Sequence, residues 1–200
     1  MLAQVGIGLQ FLMQKIKTKI SKASIYQFEN FFHLNSSNES FSSSYSDKNQ
    51  IKVVSNILKN DSIKAIDITH FNSPPSIIPS KYYDKSIKAK YLETNSKISR
   101  NIEEDISSDK KITVIYSKRE NLSKILKNDE KKINHTNHFT KLYNYLIEQL
   151  NNSDGLSFFV SLSDISFEVV IFNNDKFVFL KYLILYLHIF FLQHHYIFLI

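Results

Sequence analysis

Towards the end of the chain, apolar and polar residues alternate in short runs, as in "LSFFVSLSDISFEVVIFNNDKFVFL". A period of two marks half-buried strands, and three are predicted: residues 156–163, 166–172 and 176–183. The turn "NNDK" supplies Asn and Asp where a tight hairpin needs positive φ. Elsewhere the period lengthens to that of a helix. Ile51, Val54, Ile57 and Leu58 share one face behind a Ser46 or Asp47 cap. Phe139, Leu142, Tyr143, Leu146 and Leu150 stripe a helix over 137–150, and Gly155 follows as its left-handed terminator.

Other elements rest on shorter signals. Residues 2–13 and 20–28 predict strands around the polar turn "QKIKTK", and "SIKAIDITHF" predicts another strand. Pro74 and Pro75 exclude helix, whereas Pro79 suits the first turn of a helix running to Glu93. "KKITVIYS" predicts a strand that leads into Ser117-x-x-Glu120, a capping box opening a helix with Leu122, Ile125 and Leu126 on its apolar side. The serine-rich stretch 36–49 is expected to be an exposed loop, and 95–110 an irregular polar segment. Strands alternating with helices in this order predict an α/β fold.

Two hundred residues, 43% hydrophobic and 14% aromatic, suit one domain or one full lobe plus part of another. The absence of cysteine excludes disulfides and thiolate metal sites, as in a reducing compartment. The first residues lack the pattern of a signal peptide, so a cytoplasmic location is expected. The formal charge is +6, but it comes from scattered lysines, with arginine only at positions 100 and 119. A solvated lysine surface accounts for it, and nucleic acid is disfavoured as a partner. Abundant Lys, Asn, Ile, Tyr and Phe match the codon bias of an AT-rich genome.

The segments "QVGIGLQFLM", "KISKASIYQFEN", "SIIPSKYYD", "YLETNSKI", "ITVIY", "INHTNHFTKLYNYLI" and "FFVSLSDISFEVVIFNNDKFVF" resemble, in that order, a bacterial family called domain of unknown function 3822. The resemblance implies an actin-like, ribonuclease H-like α/β fold with a mixed sheet and flanking helices. It implies a first lobe over residues 1–152 and the start of a truncated second lobe over 153–200. It implies kinship with actin-like pilus assembly proteins and no established activity. Actin-like ATPases carry Asp-x-Gly in the first hairpin and Asp-x-Gly-Gly-Gly-Thr in the second. Here the first position would be Gln4-Val5-Gly6-Ile7-Gly8 and the second Ser161-Leu162-Ser163-Asp164-Ile165-Ser166. Gln4 stands where the Mg²⁺-positioning Asp belongs, and residues with a Cβ replace glycines that let backbone approach phosphate. Gln4, Gly6, Gly8, Ser161 and Ser163 are therefore the weak candidates should ATP bind, and no cofactor is expected.

Other chemistry is thin. His135 and His138 form an H-x-x-H at the start of a helix, a spacing that zinc sites use, but a surface or cap-adjacent pair is the commoner outcome. Glu103, Glu104 and Asp105 are expected in a solvated loop. Tyr82, Tyr83, Tyr143 and Tyr145 are expected to cover the sheet rather than stack on bases. No residue has the context of a catalytic nucleophile. The tail "KYLILYLHIFFLQHHYIFLI", residues 181–200, admits three readings: a membrane anchor, a buried segment, or an altered reading frame.

The expected function is a non-catalytic scaffold, a pseudo-ATPase with an unidentified protein partner. The alternatives are a divergent ATP-binding protein and an interaction protein tethered to a membrane through 182–200.

Overall fold

A computed structural model describes residues 22–36, 39–93, 101–122, 126, 131–150, 154–162, 166–184 and 197–199. They fall into two units, one within Thr18–Asn144 and one within Tyr145–Ile200, a boundary inside a helix.

In the first unit, β1 (Lys22–Gln27), β2 (Phe31–Asn35), β3 (Ser40–Ser44), β4 (Ala65–His70) and β8 (Lys132–Asn137) form a sheet in the order β3-β2-β1-β4-β8. Strand β2 runs antiparallel to β1 and β3, whereas β1, β4 and β8 are parallel. The alternation in β1 sends Ala23, Ile25 and Gln27 to the buried face, and β4 adds Ile66, Ile68 and His70. Phe32, Leu34, Val54, Leu58, Leu122 and Leu126 complete this core. The parallel register aligns Ile25, Ile68 and His135, and one step further Gln27, His70 and Asn137.

Helix α1 (Lys48–Leu58) begins as its pattern predicts: the Asp47 carboxylate accepts from the Asn49 and Gln50 N–H groups at 3.0 and 3.1 Å. Replacing Asp47 by Ala is expected to cost about 1 kcal/mol in urea unfolding, the usual worth of an N-cap.

The serine-rich stretch is not the loop its composition suggests. Its middle forms β3, the edge strand, and its end starts α1. Phe41 and Tyr45 pack on the core, and His33 on β2 meets the hydroxyls of Ser42 and Ser40 at 2.7 and 3.1 Å. Phe41 and Ser43 share the core-facing side of the strand, so low complexity hides a strand.

A second sheet of this unit, in the order β5-β7-β6, is antiparallel: β5 (Ser76–Pro79), β6 (Ile102–Ile106) and β7 (Ile112–Ser117). Three expectations are corrected. Pro79 closes β5 instead of opening a long helix; 3₁₀ turns at Ser80–Tyr82 and Lys85–Ile87 precede the short α2 (Lys90–Glu93). The segment 95–110 contains β6, whose acidic residues have partners across the strands. Ser117 ends β7 rather than capping a helix, and its hydroxyl makes no hydrogen bond. Leu122 and Leu126 are still buried, with a backbone bond of 3.2 Å between them. Strand β8 had no strong alternating signal, because "KINHTN" carries only one aliphatic residue.

Helix α3 (His138–Gln149) follows β8 directly and buries Phe139, Tyr143 and Leu146 of the expected stripe, with Leu142 half-buried and Leu150 buried just past the helix end.

In the second unit, β9 (Leu156–Leu162), β10 (Ser166–Asn173), β11 (Lys176–Ile184) and β12 (Ile197–Leu199) form an antiparallel sheet in the order β11-β10-β9-β12. The first three match the alternating pattern. Gly155 and Asn174 have φ of 86° and 57°, as their turn roles require, and their backbones and side chains bond across the hairpin ends at 2.7 Å. From the tail, residues 181–184 extend β11 and 197–199 pair with β9. Among the described residues, no helix is long and apolar enough to cross a membrane.

Candidate functional site

Ligands of open α/β sheets gather beyond the carboxyl ends of the parallel strands. In the first unit those ends are Gln27, His70 and Asn137, side by side and almost fully buried. Each is a polar residue at a position that the alternation assigns to the core.

The backbone here is spoken for. The Phe28 N–H bonds the Phe31 carbonyl at 2.9 Å, closing the β1–β2 turn, and the Phe71 N–H bonds the Gln27 carbonyl at 2.8 Å. Rings cover the turn: Phe28 stacks on Phe31 and on Phe71, at centroid distances of 4.4 and 4.5 Å, and Phe71 stacks on His138 at 4.1 Å. At the head of α3, the Asp105 carboxylate accepts from the Asn137 N–H at 2.7 Å and the Thr140 hydroxyl at 2.8 Å. The Tyr116 hydroxyl approaches its other oxygen at 3.5 Å. Asn137 in turn accepts from the Phe139 N–H at 2.9 Å and donates to the Ser73 carbonyl at 3.0 Å. Burial raises the Asp105 pKa, while these donors hold it down.

A histidine pair lies beside this network. His70 Nε2 and His135 Nδ1 are 3.0 Å apart and share one proton. Burial, then His135, Lys118 and Arg119, push the His70 pKa down to about 3, and burial lowers that of His135. Both rings are neutral near pH 7. His135 faces a recess of about 210 Å³ on the buried side of the sheet. Ile68, Leu122, Leu126 and Ile133 supply its apolar wall; Gln27, His135, Lys118, Arg119 and Glu120 supply the polar one. Lys118 is held by Glu103 at 2.8 Å, and Arg119 Nη2 donates to the Asn72 carbonyl.

Several expectations about chemistry resolve differently. Glu103, Glu104 and Asp105 lie on β6 with partners: Glu103 holds Lys118, Glu104 accepts from the Tyr83 hydroxyl and pairs with Lys85, and the half-buried Asp105 accepts from Asn137 and Thr140. His135 and His138 part company, the first joining His70 and the second stacking on Phe71. Tyr143 is buried, while Tyr82 and Tyr145 remain exposed. Ser161 lies on β9 opposite Glu168, and Gln4, Gly6, Gly8 and Ser163 lie outside the described residues. Burial lifts the Glu168 pKa to about 7. Gln27, His70 and Asn137 carry no motif that marks them in the sequence. The available signal was a polar side chain in phase with the core, as in "SIYQ", "DITH" and "NHTN".

Residues 9–182 match the family described as protein of unknown function, DUF3822. The chain belongs to the DUF3822 family. Residues 183–200 lie outside the match. No curated protein matches the sequence. A Bacteroides thetaiotaomicron protein with actin-like ATPase fold and unknown function is similar, with a TM-score of 0.63 at 12% identity, covering 82% of this chain and 70% of that one. At that identity the likeness concerns the fold, and the mixed five-stranded sheet is that of an actin-like α/β protein. The cytoplasmic domain of EpsL, an inner-membrane component of the Vibrio cholerae type II secretion system, gives a TM-score of 0.42 at 7% identity, over 82% of this chain and 70% of that one.

Proposed function

We propose that this DUF3822 chain is a non-catalytic binding or scaffold protein of the bacterial cytoplasm, built on an actin-like fold without its nucleotide chemistry. One observation carries the reading. At the ends of the parallel strands, the N–H groups of Phe28, Phe71 and Asn137 already bond Phe31, Gln27 and Asp105. Phosphate sites need free N–H groups and a positive helix terminus. Here the turn is covered by stacked Phe28 and Phe31, and a carboxylate occupies the head of α3. A nucleotide phosphate would meet aromatic carbon and negative charge. The partner in this reading is another protein, and none of the residues acts as a catalyst.

Thermal unfolding with excess Mg-ATP tests it. A ligand present at a hundred times its dissociation constant adds roughly 2.7 kcal/mol to stability. The expected result is no shift in Tm at millimolar nucleotide. A clear upward shift would make the chain a divergent ATP-binding protein and overturn the scaffold reading.

A further inference from the structure

The recess beneath the sheet ends combines features that the scaffold reading does not use. Its wall is aliphatic on one side, from Ile68, Leu122, Leu126 and Ile133. On the other side, hydrogen-bond donors are left over. Gln27 is 1% exposed, and of the two N–H groups on its Nε2 Tyr45 takes up at most one. Arg119 Nε is also buried without a hydrogen-bond partner. Buried donors are nearly always paired, and leaving one unmade costs about 1–3 kcal/mol, more when it is charged.

The charges point the same way. Lys118 is neutralised by Glu103. Glu120 lines the recess but is itself exposed to solvent. Arg119 takes part in none of the ion pairs among the described residues. A guanidinium with an unused N–H, next to an amide donor and a neutral imidazole, suits a carboxylate acceptor. The volume of about 210 Å³ is roughly seven times a water molecule's share of the liquid, below the range of drug-sized pockets. It admits a compact body, and the aliphatic wall requires that body to be apolar.

We infer that the recess bounded by Gln27, Arg119, His135, Ile68, Leu126 and Ile133 binds a small monocarboxylate with an apolar body. Arg119 and Gln27 hold the carboxylate, and the aliphatic wall encloses the rest. The site is independent of the scaffold reading, because it lies on the buried face of the sheet and not at the closed β1–β2 turn.

Calorimetric titration of the full chain with benzoate, benzamide and inorganic phosphate tests the inference. Benzamide keeps the ring but lacks the charge, and phosphate has the charge without an apolar body. Benzoate is expected to bind at least about tenfold more tightly than benzamide, as one charge-assisted hydrogen bond provides. Phosphate and Mg-ATP are expected neither to bind nor to compete. Arg119→Gln should bring benzoate down to the level of benzamide. Should that variant fail to fold, benzoate-induced shifts of the His135 ring resonances in the unaltered protein give the location. Equal binding of benzoate and benzamide, displacement by phosphate, no benzoate binding, or binding that leaves His135 unmoved would each overturn the assignment.

Discussion

Lowering the pH from 7 towards 4 is expected to strip the first unit of roughly 6 kcal/mol of stability, if His70 and His138 titrate only on unfolding. His70 is wholly buried and held to about 3, first by burial and then by His135 and the two neighbouring cations. Burial, then Lys141, holds His138 to about 4. Unfolded, both titrate near the ordinary 6.5. Between those limits the unfolded chain binds more protons than the folded one, so stability falls as pH falls. Each group contributes a slope of about 1.4 kcal/mol per pH unit, and above 6.5 the effect vanishes. Urea midpoints at stepped pH values measure this directly. His70→Gln is expected to remove one proton's worth of slope. An unchanged slope in that variant would show that His70 is not among the groups responsible.

Asp105→Ala is expected to destabilise the first unit by roughly 3 kcal/mol or more, because it orphans several donors at once. The Asn137 N–H and the Thr140 hydroxyl both end on one carboxylate oxygen, and the Tyr116 hydroxyl approaches the other. The aspartate therefore joins the second sheet to the last parallel strand and the helix that follows it. Asp105→Asn should fall between the wild type and Asp105→Ala, since it keeps an accepting oxygen and relieves the cost of a partly desolvated charge. Chemical denaturation of the three proteins gives the order. A loss within about 0.5 kcal/mol for Asp105→Ala, the scale of an ordinary surface change, would contradict the role assigned to it.

The legible parts of this sequence were those where one physical signal dominates. Alternation in residues 156–183 and the helical stripe through Phe139 and Tyr143 both reflect burial of one face, and both match the structure. Gly155 and Asn174 were legible because positive φ restricts the choice of residue. What escaped was burial of polar groups. Strand β6 looked like loop because Glu103, Glu104 and Asp105 suggest solvent, yet Lys118, Tyr83 and Asn137 answer them from elsewhere in the chain. Strand β8 escaped for the same reason, with His135 and Asn137 matched by His70 and Ser73. Such partners are distant in sequence and local patterns carry no trace of them. The fold was legible from order and resemblance, whereas the candidate site left only a polar residue in phase with the core on each strand, and what those residues share emerges once the strands are aligned.

The edge strand β3 has a practical consequence for anyone altering this protein. Its composition invites insertion of a tag or a protease site among the serines. Phe41 and Ser43 point one way and Ser40, Ser42 and Ser44 the other, in register with β2 from Phe31 to Asn35. One added residue would exchange the two sets and turn a phenylalanine out to water at the edge of the sheet as the described residues form it. The serines then serve as a polar border that a neighbouring molecule's strand finds nothing apolar to grip, and a frameshift of the pleat would convert that border into an adhesive one.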